Sequence, residues 1–355
     1  MKKVGVVGSV GLPAAYSGFE TLVENLVENL HPRFQFTIYC SRFFYKKRPK
    51  TYKNARLVYI PLKANGVQSI PYDLLSLMHA LFIARCKTVL VLGVGIAFAI
   101  PLFQFLKPKT KIIVHMDGLE WKRSKWGGFA KSFLKYNERV ICNRGKHVLV
   151  DNQGILDYVK ETYGLNPYCL TYGASRKGHI DETIRQQLPA GKYALAIARI
   201  VPENNIDLIL EAFSKLEMEL VFIGDWKDSP LGVSLTERYS TFSNIHIINK
   251  NFDVNALFTY KEFAHVYVHG HSVGGTNPSL VEAMHFALPI VAYDAIYNQY
   301  TTNHQAIYFS SADQLIERIK SLGANDLNAI GNAMQTYAQK HFIWEKVAND
   351  YAEIF

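Results

Sequence analysis

A glycine-rich segment in the second half of the chain, residues 269–284 (HGHSVGGTNPSLVEAM), carries the residue types best suited to binding an anion. Gly274 and Gly275 allow the backbone to come close to a ligand, because neither has a side chain. Thr276 or Asn277 can cap a helix, and the proline that follows suits its first turn. The positive end of the helix dipole then favours an anion, and a diphosphate fits.

Two charged side chains extend this predicted phosphate site. Glu282 follows on the same predicted helix, where its carboxylate could accept hydrogen bonds from two ribose hydroxyls, with a surface or capping glutamate as the alternative. Arg199 lies in residues 198–205 (ARIVPENN), directly after a predicted strand. Its guanidinium could bind the same phosphates through two parallel hydrogen bonds.

A second glycine-containing loop lies near the start of the chain, in residues 8–20 (GSVGLPAAYSGFE), and includes Gly11 and Gly18. It runs from a predicted strand into a helix whose free amides could bind a phosphate or a sugar hydroxyl. The spacing of Gly5, Gly8 and Gly11 does not give the G-x-G-x-x-G fingerprint, and no acidic residue follows the second predicted strand. The sequence therefore disfavours a nicotinamide-dependent oxidoreductase.

His115 and Asp117 stand at the end of another predicted strand in the first half. Either side chain could act as a general base or hold a sugar hydroxyl. Alternatively, His115 is a buried histidine whose hydrogen bonds are made within the fold, and Asp117 caps a turn. Glu120 and the basic run after it favour the functional interpretation. No Asp-x-Asp pair occurs, so no metal site for a sugar nucleotide is predicted.

Short β-branched runs alternate with longer helical patterns along the chain, which predicts parallel, doubly wound α/β sheets. Ligands in such sheets bind at the carboxyl ends of the strands, where the loops described above lie. The predicted strands are residues 4–8, 36–39, 57–60, 89–92, 111–115, 147–150, 193–198, 219–223, 245–248, 266–269 and 289–292. The predicted helices are residues 19–30, 72–85, 127–143, 206–215, 256–260, 278–286 and 312–321, with terminal helices in 327–355. Weak periodicity in residues 168–190 indicates an interdomain linker.

The charge is divided unevenly between the two halves. Residues 1–180 hold 27 Lys and Arg against 10 Asp and Glu, a net charge of +17, whereas the remainder holds 12 against 20, a net charge of −8. Residues 42–50 and 122–131 both interleave aromatic and basic side chains, as an interfacial binding surface does. The alternative for each is a solvated basic face. An anionic partner is expected, and it could be a nucleic acid, a diphosphate or a membrane leaflet.

Four widely spaced cysteines, without a CxxC pair, favour reduced thiols and a cytoplasmic protein over a disulfide framework or a zinc site. The apolar residues 89–106 are just long enough to cross a bilayer, but Gly93, Gly95 and Pro101 interrupt them. We therefore predict a strand at 89–92 and a buried helix at 96–105, with a membrane span as the alternative.

Four of these segments together resemble the retaining family-4 glycosyltransferases of GT-B fold, specifically the rhamnosyltransferase-like enzymes of bacterial polysaccharide assembly. They are residues 12–21 (LPAAYSGFET), 117–123 (DGLEWKR), 198–205 (ARIVPENN) and 270–279 (GHSVGGTNPS). The resemblance implies two Rossmann-like domains facing a central cleft, with residues 1–172 binding the acceptor and 173–340 the nucleotide sugar. Residues 341–355 would form a terminal helix that packs back on the first domain. Transfer would be metal-independent and would need no cofactor.

The resemblance also assigns roles to individual residues. Catalytic roles fall to His115, Asp117 and Arg199. Acceptor binding falls to Tyr16, Glu120, Trp121, Lys122 and Arg123. Donor binding falls to Gly11, Gly18, Arg199, Asn204, Gly274, Gly275, Thr276, Asn277 and Glu282.

Three positions depart from the wider family. Gly274 stands where that family has the first of two glutamates, the second of which is Glu282, and Asn204 stands where it has a phosphate-binding lysine. Ser17 replaces a glycine of the rhamnosyltransferase-like subgroup and narrows the backbone freedom there. The subgroup shares the first two changes, which are therefore interpreted as specialisation, with Arg199 and backbone amides carrying more of the diphosphate charge.

The sequence thus predicts transfer of a hexose or deoxyhexose, with dTDP-L-rhamnose favoured over a UDP-sugar, onto a lipid-diphosphate-linked saccharide at the inner face of the plasma membrane. A sugar-nucleotide epimerase of the same fold and a non-catalytic nucleotide-sugar or anionic-surface binding protein are the alternatives. Nucleic-acid binding is disfavoured, because the basic residues follow no RNP, KH or helix-turn-helix pattern.

Overall fold

A computed structural model describes residues 1–14, 18–250 and 253–355, without the side chains of 324–326. Tyr16 and Ser17, to which the sequence analysis gave roles, lie outside the described residues. The chain forms two compact units. The first domain comprises Met1–Gly173 and Trp344–Phe355, and the second comprises Ala174–Ile343.

The first domain is built on an eight-stranded sheet in the order β3-β4-β2-β1-β5-β6-β7-β8. Its strands are β1 (Lys2–Val7), β2 (Phe34–Ser41), β3 (Thr51–Tyr52), β4 (Ala55–Ile60), β5 (Thr88–Leu92), β6 (Lys111–Met116), β7 (Val148–Val150) and β8 (Tyr168–Cys169). All described pairings are parallel except that of β3 with β4. Buried β-branched and aliphatic residues fill the central strands, as expected of a sheet covered on both faces.

Helices cover both faces of this sheet. They are α1 (Gly18–Asn29), α2 (Ser69–Met78), α3 (Ile100–Leu106), α4 (Gly128–Arg144) and α5 (Gln153–Tyr163), and a π-helical turn, His79–Ile83, extends α2. Val4 and Val6 of β1 join the core cluster that contains α1. A Cβ on Gly5, between them, would lie 3.2 Å from the Cβ of Ala80, so the α2 segment covers the opposite face. Right-handed crossovers from β5 and β6 place α3 and α4 beside it.

The last helix of the chain, α14 (Trp344–Ile354), belongs to the first domain. Val347 and Tyr351 pack in the core cluster with α1, and the hydroxyl of Thr88 donates a hydrogen bond of 2.6 Å to the Phe355 carbonyl. A Cβ on Gly173 would lie 2.6 Å from the Trp344 ring, so the indole packs directly on that glycine. These contacts fix the carboxyl terminus of the chain in the first domain.

The second domain has a six-stranded sheet in the order β11-β10-β9-β12-β13-β14, with every described pairing parallel. Its strands are β9 (Tyr193–Ile197), β10 (Glu219–Gly224), β11 (Ile245–Asn249), β12 (Val266–His269), β13 (Ile290–Tyr293) and β14 (Ile307–Phe309). Its helices are α6 (Glu182–Arg185), α7 (Ile206–Phe213), α8 (Pro230–Tyr239), α9 (Val254–Glu262), α10 (Pro278–His285), α11 (Ile296–Thr301), α12 (Ala312–Lys320) and α13 (Ala324–His341). Alternate residues of β9 enter two separate core clusters, one on each face.

The predicted fold class, two parallel-sheet α/β domains, is confirmed. The short elements at 51–52, 168–169 and 307–309, and the helices α5, α8 and α11, were not predicted. The predicted linker at 168–190 in fact contains β8 and α6, and the boundary between the units falls after Gly173.

The prediction of a buried helix at 96–105 is wrong in one respect. A 3₁₀ turn, Ala97–Ala99, leads into α3, but Leu102 is 58% and Phe105 80% exposed. Only one side of this short helix packs on the sheet, through Ile100 and Phe103. Among the described residues, no helix combines the length and apolarity needed to cross a membrane.

Candidate functional site

Hydrogen bonds join two loops at the carboxyl edge of the second-domain sheet. Residues 198–205 follow β9 and residues 270–277 follow β12, its neighbour in the sheet. The amide and hydroxyl of Ser272 donate to the Glu203 carbonyl at 2.9 and 2.8 Å. The Asn205 side-chain amide donates to the Gly270 carbonyl at 2.8 Å. The two segments that the sequence analysis linked are therefore held side by side.

Arg199 is the exposed cation of this pair of loops. Within the described residues, its guanidinium makes no hydrogen bond or ion pair, while its carbonyl accepts a 2.8 Å hydrogen bond from the side-chain amide of Asn204. Asn204 itself is 3% exposed. Asn204 thus shapes the arginine loop, and Arg199 keeps its donors available for an anion.

Gly274 and Gly275 lie in the loop that leads into α10. Gly274 has φ = +144°, a conformation that side chains rarely adopt, yet no atom lies within 4 Å of where its Cβ would be. Among the described residues, no backbone carbonyl accepts from the amides of Gly274 or Gly275. Thr276 is buried, and the side chain of Asn277 caps α10 by accepting a 3.0 Å hydrogen bond from the Ser279 amide. Free amides next to a helix amino terminus suit a phosphate group.

Glu282, on α10, forms an ion pair with Lys261 of α9, with 2.5 Å between carboxylate and ammonium. The lysine side chain is 6% exposed and the glutamate side chain 36%. Lys261 orients one carboxylate oxygen, and the exposed part of Glu282 can still accept hydrogen bonds. Lys261 could not be predicted from the sequence, because the two residues come from different helices and no local spacing signals their contact.

A buried histidine directly precedes this loop. His269, the last residue of β12, is 1% exposed, and neither ring nitrogen has a hydrogen-bond partner within the described residues. Its ring stacks on that of His271 with centroids 4.3 Å apart. Burial lowers the pKa of His269 to about 3, so the ring is neutral at pH 7.

In the first domain, the loop after β1 is held by contacts of its own. A Cβ on Gly11, which has φ = +127°, would lie 2.5 Å from the Cys40 sulfur, so close packing is sufficient to explain this glycine. Gly18 begins α1. Glu20, which is 2% exposed, accepts a 2.7 Å hydrogen bond from the Val10 amide. Glu20 lies inside the segment 12–21, which could have indicated its importance, but the sequence prediction gave it no role.

His115 is the penultimate residue of β6 and is completely buried. Its ring lies 5.4 Å from that of Phe19 and 6.2 Å from that of Tyr172, centroid to centroid. Neither ring nitrogen has a hydrogen-bond partner among the described residues, and burial lowers its pKa to about 3. A buried histidine without partners loses hydrogen bonds that it makes in water, which favours a role in ligand binding over one in folding.

Asp117 follows on the same edge and is partly exposed. Burial raises the pKa of its carboxyl group, while the Arg123 guanidinium opposes the rise and Glu120 adds to it. The charge on Asp117 therefore depends on the loop that follows.

That loop, residues 120–126, is tied together by its own charges. Glu120 pairs with Arg123 at 2.7 Å and with Lys125 at 2.8 Å, and also accepts a 3.1 Å hydrogen bond from the Trp126 indole. Lys122 is exposed, with its ammonium 5.6 Å from the centroid of the Trp121 ring. Four of the five predicted acceptor residues are thus adjacent, and the charges of Glu120 and Arg123 neutralise each other, while Tyr16 lies outside the described residues.

Glu138 of α4 anchors this loop, and the sequence analysis did not find it. It is 1% exposed and accepts a 2.7 Å hydrogen bond from the Trp121 indole. Lys135, Tyr158 and Tyr163 donate to its other oxygen at 2.8, 2.7 and 2.7 Å. The donors come from three separate segments, so no sequence spacing indicated the cluster. Trp121 is held in place by this cluster.

Among the described residues, no group of three or more His, Cys, Asp and Glu side chains could hold a metal ion.

The two domains match different families. Residues 180–341 match Glycosyl transferases group 1, and residues 1–175 match the Domain of unknown function DUF1972. A search among curated proteins gives no match.

Solved structures establish the fold as GT-B. Sucrose-phosphate synthase from Thermosynechococcus elongatus superposes with a TM-score of 0.81 at 16% identity, covering 100% of this chain and 98% of that one. HepE from Anabaena, solved in complex with UDP-glucose, gives 0.76 at 12% identity, covering 100% and 99%. WaaG, a glycosyltransferase involved in lipopolysaccharide biosynthesis, gives 0.73 at 16% identity, covering 98% of each chain.

Proposed function

We propose that this GT-B chain, whose second domain matches the group 1 glycosyl transferases, transfers a sugar from a nucleotide donor onto a lipid-diphosphate-linked saccharide with retention of configuration. The observation that carries the proposal is the pair of joined loops in the second domain. There, the guanidinium of Arg199 and the amides of Gly274 and Gly275, all without a partner among the described residues, lie at one edge. These groups match a diphosphate in charge and donor number.

The donor is a nucleotide sugar, and dTDP-L-rhamnose is favoured. HepE, which shares the fold, binds UDP and UDP-glucose, which supports a nucleotide diphosphate as the ligand class. Glu282, oriented by Lys261, accepts hydrogen bonds from the ribose. The choice of rhamnose rests on the segments 12–21, 117–123, 198–205 and 270–279, which resemble the rhamnosyltransferase-like subgroup.

In the proposed reaction, the bond from the anomeric carbon to the diphosphate oxygen breaks, and a bond to the acceptor oxygen forms on the same face of the sugar. The departing diphosphate takes the proton of the acceptor hydroxyl, and Arg199 with the loop amides stabilises its charge. Asp117 holds a hydroxyl of the reacting sugars. His115, neutral because of its low pKa, serves as a hydrogen-bonding group rather than as a cation.

The acceptor is assigned to the first domain, and the protein to the inner face of the plasma membrane. The net charge of +17 on residues 1–180 supports contact with an anionic surface. WaaG, another structure of this fold, is a glycosyltransferase involved in lipopolysaccharide biosynthesis, which supports a saccharide of the cell surface as the acceptor class. Lys122, exposed beside Trp121, is suited to the acceptor diphosphate.

The test is a transfer assay with purified protein. It uses dTDP-L-rhamnose and several UDP-hexoses as donors, with a short lipid-diphosphate-linked GlcNAc or glucose as acceptor, and mass spectrometry detects the product. An acceptor heavier by one deoxyhexose supports the proposal, and the one-bond coupling between C1 and H1 of the transferred sugar tests retention. A donor isomerised without acceptor would instead show an epimerase, and intact donors despite nucleotide binding would show a binding protein.

A further inference from the structure

One surface of the first domain carries apolar side chains that the fold leaves uncovered. It is formed by the α2 segment with its π-helical turn and by α3 with the 3₁₀ turn before it, side by side on one face of the sheet. The ammonium of Lys107, at the end of α3, lies 4.5 Å from the centroid of the Phe82 ring, which joins the ends of the two segments. We call Phe82, Ile83, Phe98, Leu102, Phe105 and Leu106 the apolar face.

The exposure of these side chains is large. Phe105 is 80%, Ile83 70%, Leu102 58% and Leu106 50% exposed, and Phe82 and Phe98 are 43% and 39% exposed. Single exposed apolar residues are common on soluble proteins, but six of them on two neighbouring helical segments of one sheet face indicate a binding surface.

The stretch of chain that carries the apolar face bears only positive charges. No Asp or Glu occurs between Asp73 and Asp117, whereas Arg85, Lys87 and Lys107 lie within that stretch, followed by Lys109 and Lys111. Aromatic and aliphatic side chains in a segment whose charged residues are all cations, with Lys107 in contact with Phe82, are the composition of a surface that binds anionic lipid.

A small pocket lies beside the end of α3. Its volume is about 240 Å³, and its lining includes Lys109, Lys111, Lys146 and His147. Burial lowers the pKa of His147, and the charges of Lys111 and Lys146 lower it further, which reflects a concentrated positive potential at this point. Three lysines around one cavity suit a phosphate group.

We propose that the apolar face docks the first domain on an anionic lipid surface, with its side chains in the headgroup and acyl boundary and a lipid phosphate in the lysine pocket. The inference deepens the lipid-linked part of the proposed function, but it concerns a different surface from residues 42–50 and 122–131. In the latter segment, Arg123 and Lys125 are already paired with Glu120. Lipid binding can also be measured without sugar transfer.

The experiment is flotation of the full chain with vesicles of phosphatidylcholine alone or mixed equally with phosphatidylglycerol. The wild-type chain is expected to float only with the anionic vesicles. Phe105→Ser with Leu106→Ser should weaken this binding about 30-fold, because both side chains leave the membrane boundary. The matched control, Val233→Ser with Val254→Ser, removes exposed apolar side chains of the second domain and should change binding less than about twofold.

Two further variants separate the surfaces. Lys109→Ala with Lys146→Ala should weaken anionic-vesicle binding about tenfold. Lys46→Ala with Lys47→Ala, in the other basic segment, should have a smaller effect than the pocket variant. Thermal unfolding of each variant checks that the fold is retained.

Several results would overturn the proposal. These are no flotation of the wild-type chain, loss of binding in the 46/47 variant only, or a wild-type dimer in sedimentation that the 105/106 variant dissociates. If millimolar inorganic phosphate occupies the pocket while the lysine variant floats normally, the headgroup assignment is wrong. Vesicle binding without sugar transfer supports docking and counts against the proposed transfer, and transfer without vesicle binding does the reverse.

Discussion

The carboxyl edges of the two sheets use their charged side chains in opposite ways. In the first domain, Glu120 is paired with Arg123 and Lys125, and Glu20 accepts a hydrogen bond from a backbone amide. In the second domain, Arg199 is exposed and unpaired within the described structure. One edge has neutralised most of its charge, and the other keeps a cation available.

This difference fits two kinds of ligand. A diphosphate needs donors and positive charge that no protein carboxylate has already claimed, and the second-domain edge meets that requirement. A neutral sugar needs oriented polar groups, which the first-domain edge offers through Asp117 and the buried ring of His115. The strong positive charge of the first domain is not needed for a neutral sugar, and part of it lies in the segment 82–111 that carries the apolar face.

The largest expected effect comes from the two glycines that the sequence analysis treated alike. Gly11→Ala should lower the free energy of unfolding by about 3 kcal/mol, because its Cβ would overlap Cys40 in addition to straining the backbone. Gly274→Ala meets no neighbouring atom and should lower it by only about 1 kcal/mol. Denaturant unfolding of both variants measures the difference. Equal losses of unfolding free energy would mean that the loop around Gly11 can accommodate a Cβ, contrary to the close packing against Cys40.

Arg199→Ala should reduce the transfer rate about 100-fold, since it removes a charged donor from the departing diphosphate. Stability should not change, because the guanidinium has no partner within the described residues. Arg238→Ala, on an exposed second-domain arginine paired with Asp207, is the control and should retain normal transfer. Steady-state rates with the donor identified above provide the measurement. If both variants transferred normally, the second-domain edge would not hold the diphosphate.

The sequence was sufficient to predict the alternating sheets and the pairing of the arginine loop with the glycine-rich loop, because periodicity and loop position are local properties. It was not sufficient to predict Lys261 beside Glu282, or Glu138 beneath Trp121. Both contacts join segments that are brought together only by helix packing. The exposure of α3 was also missed, because a short apolar run looks the same whether one side or all sides are buried.

A third prediction concerns what the two edges share, a buried histidine at a strand end. Burial lowers the pKa of His115 and of His269 to about 3. Below about pH 6.5 the unfolded chain binds a proton on each histidine that the folded chain does not bind. The free energy of unfolding is therefore greatest above that pH and falls as the pH decreases. Each histidine should remove about 2 kcal/mol of stability between pH 6.5 and 5.

The variants His115→Gln and His269→Gln test this separately. Each should flatten the pH dependence of the unfolding free energy between pH 6.5 and 5, whatever its effect at pH 7. An unchanged slope in either variant would mean that the histidine is protonated in the folded domain, and the two edges would then differ in this respect as well.

The smallest effect is expected at the ion pair between Lys261 and Glu282. It decides whether Glu282, like Arg199, is available to bind the donor. Glu282 is 36% exposed, so solvent screens the pair, and Glu282→Gln should cost about 1 kcal/mol of stability. A double-mutant cycle with Lys261→Met should give a coupling energy of similar size. If Glu282 also binds the ribose, Glu282→Gln raises the KM for the donor, whereas Lys261→Met raises it less, because the carboxylate remains. Equal changes in KM would assign the glutamate to helix packing alone and leave Arg199 and the loop amides as the donor-binding groups of this edge.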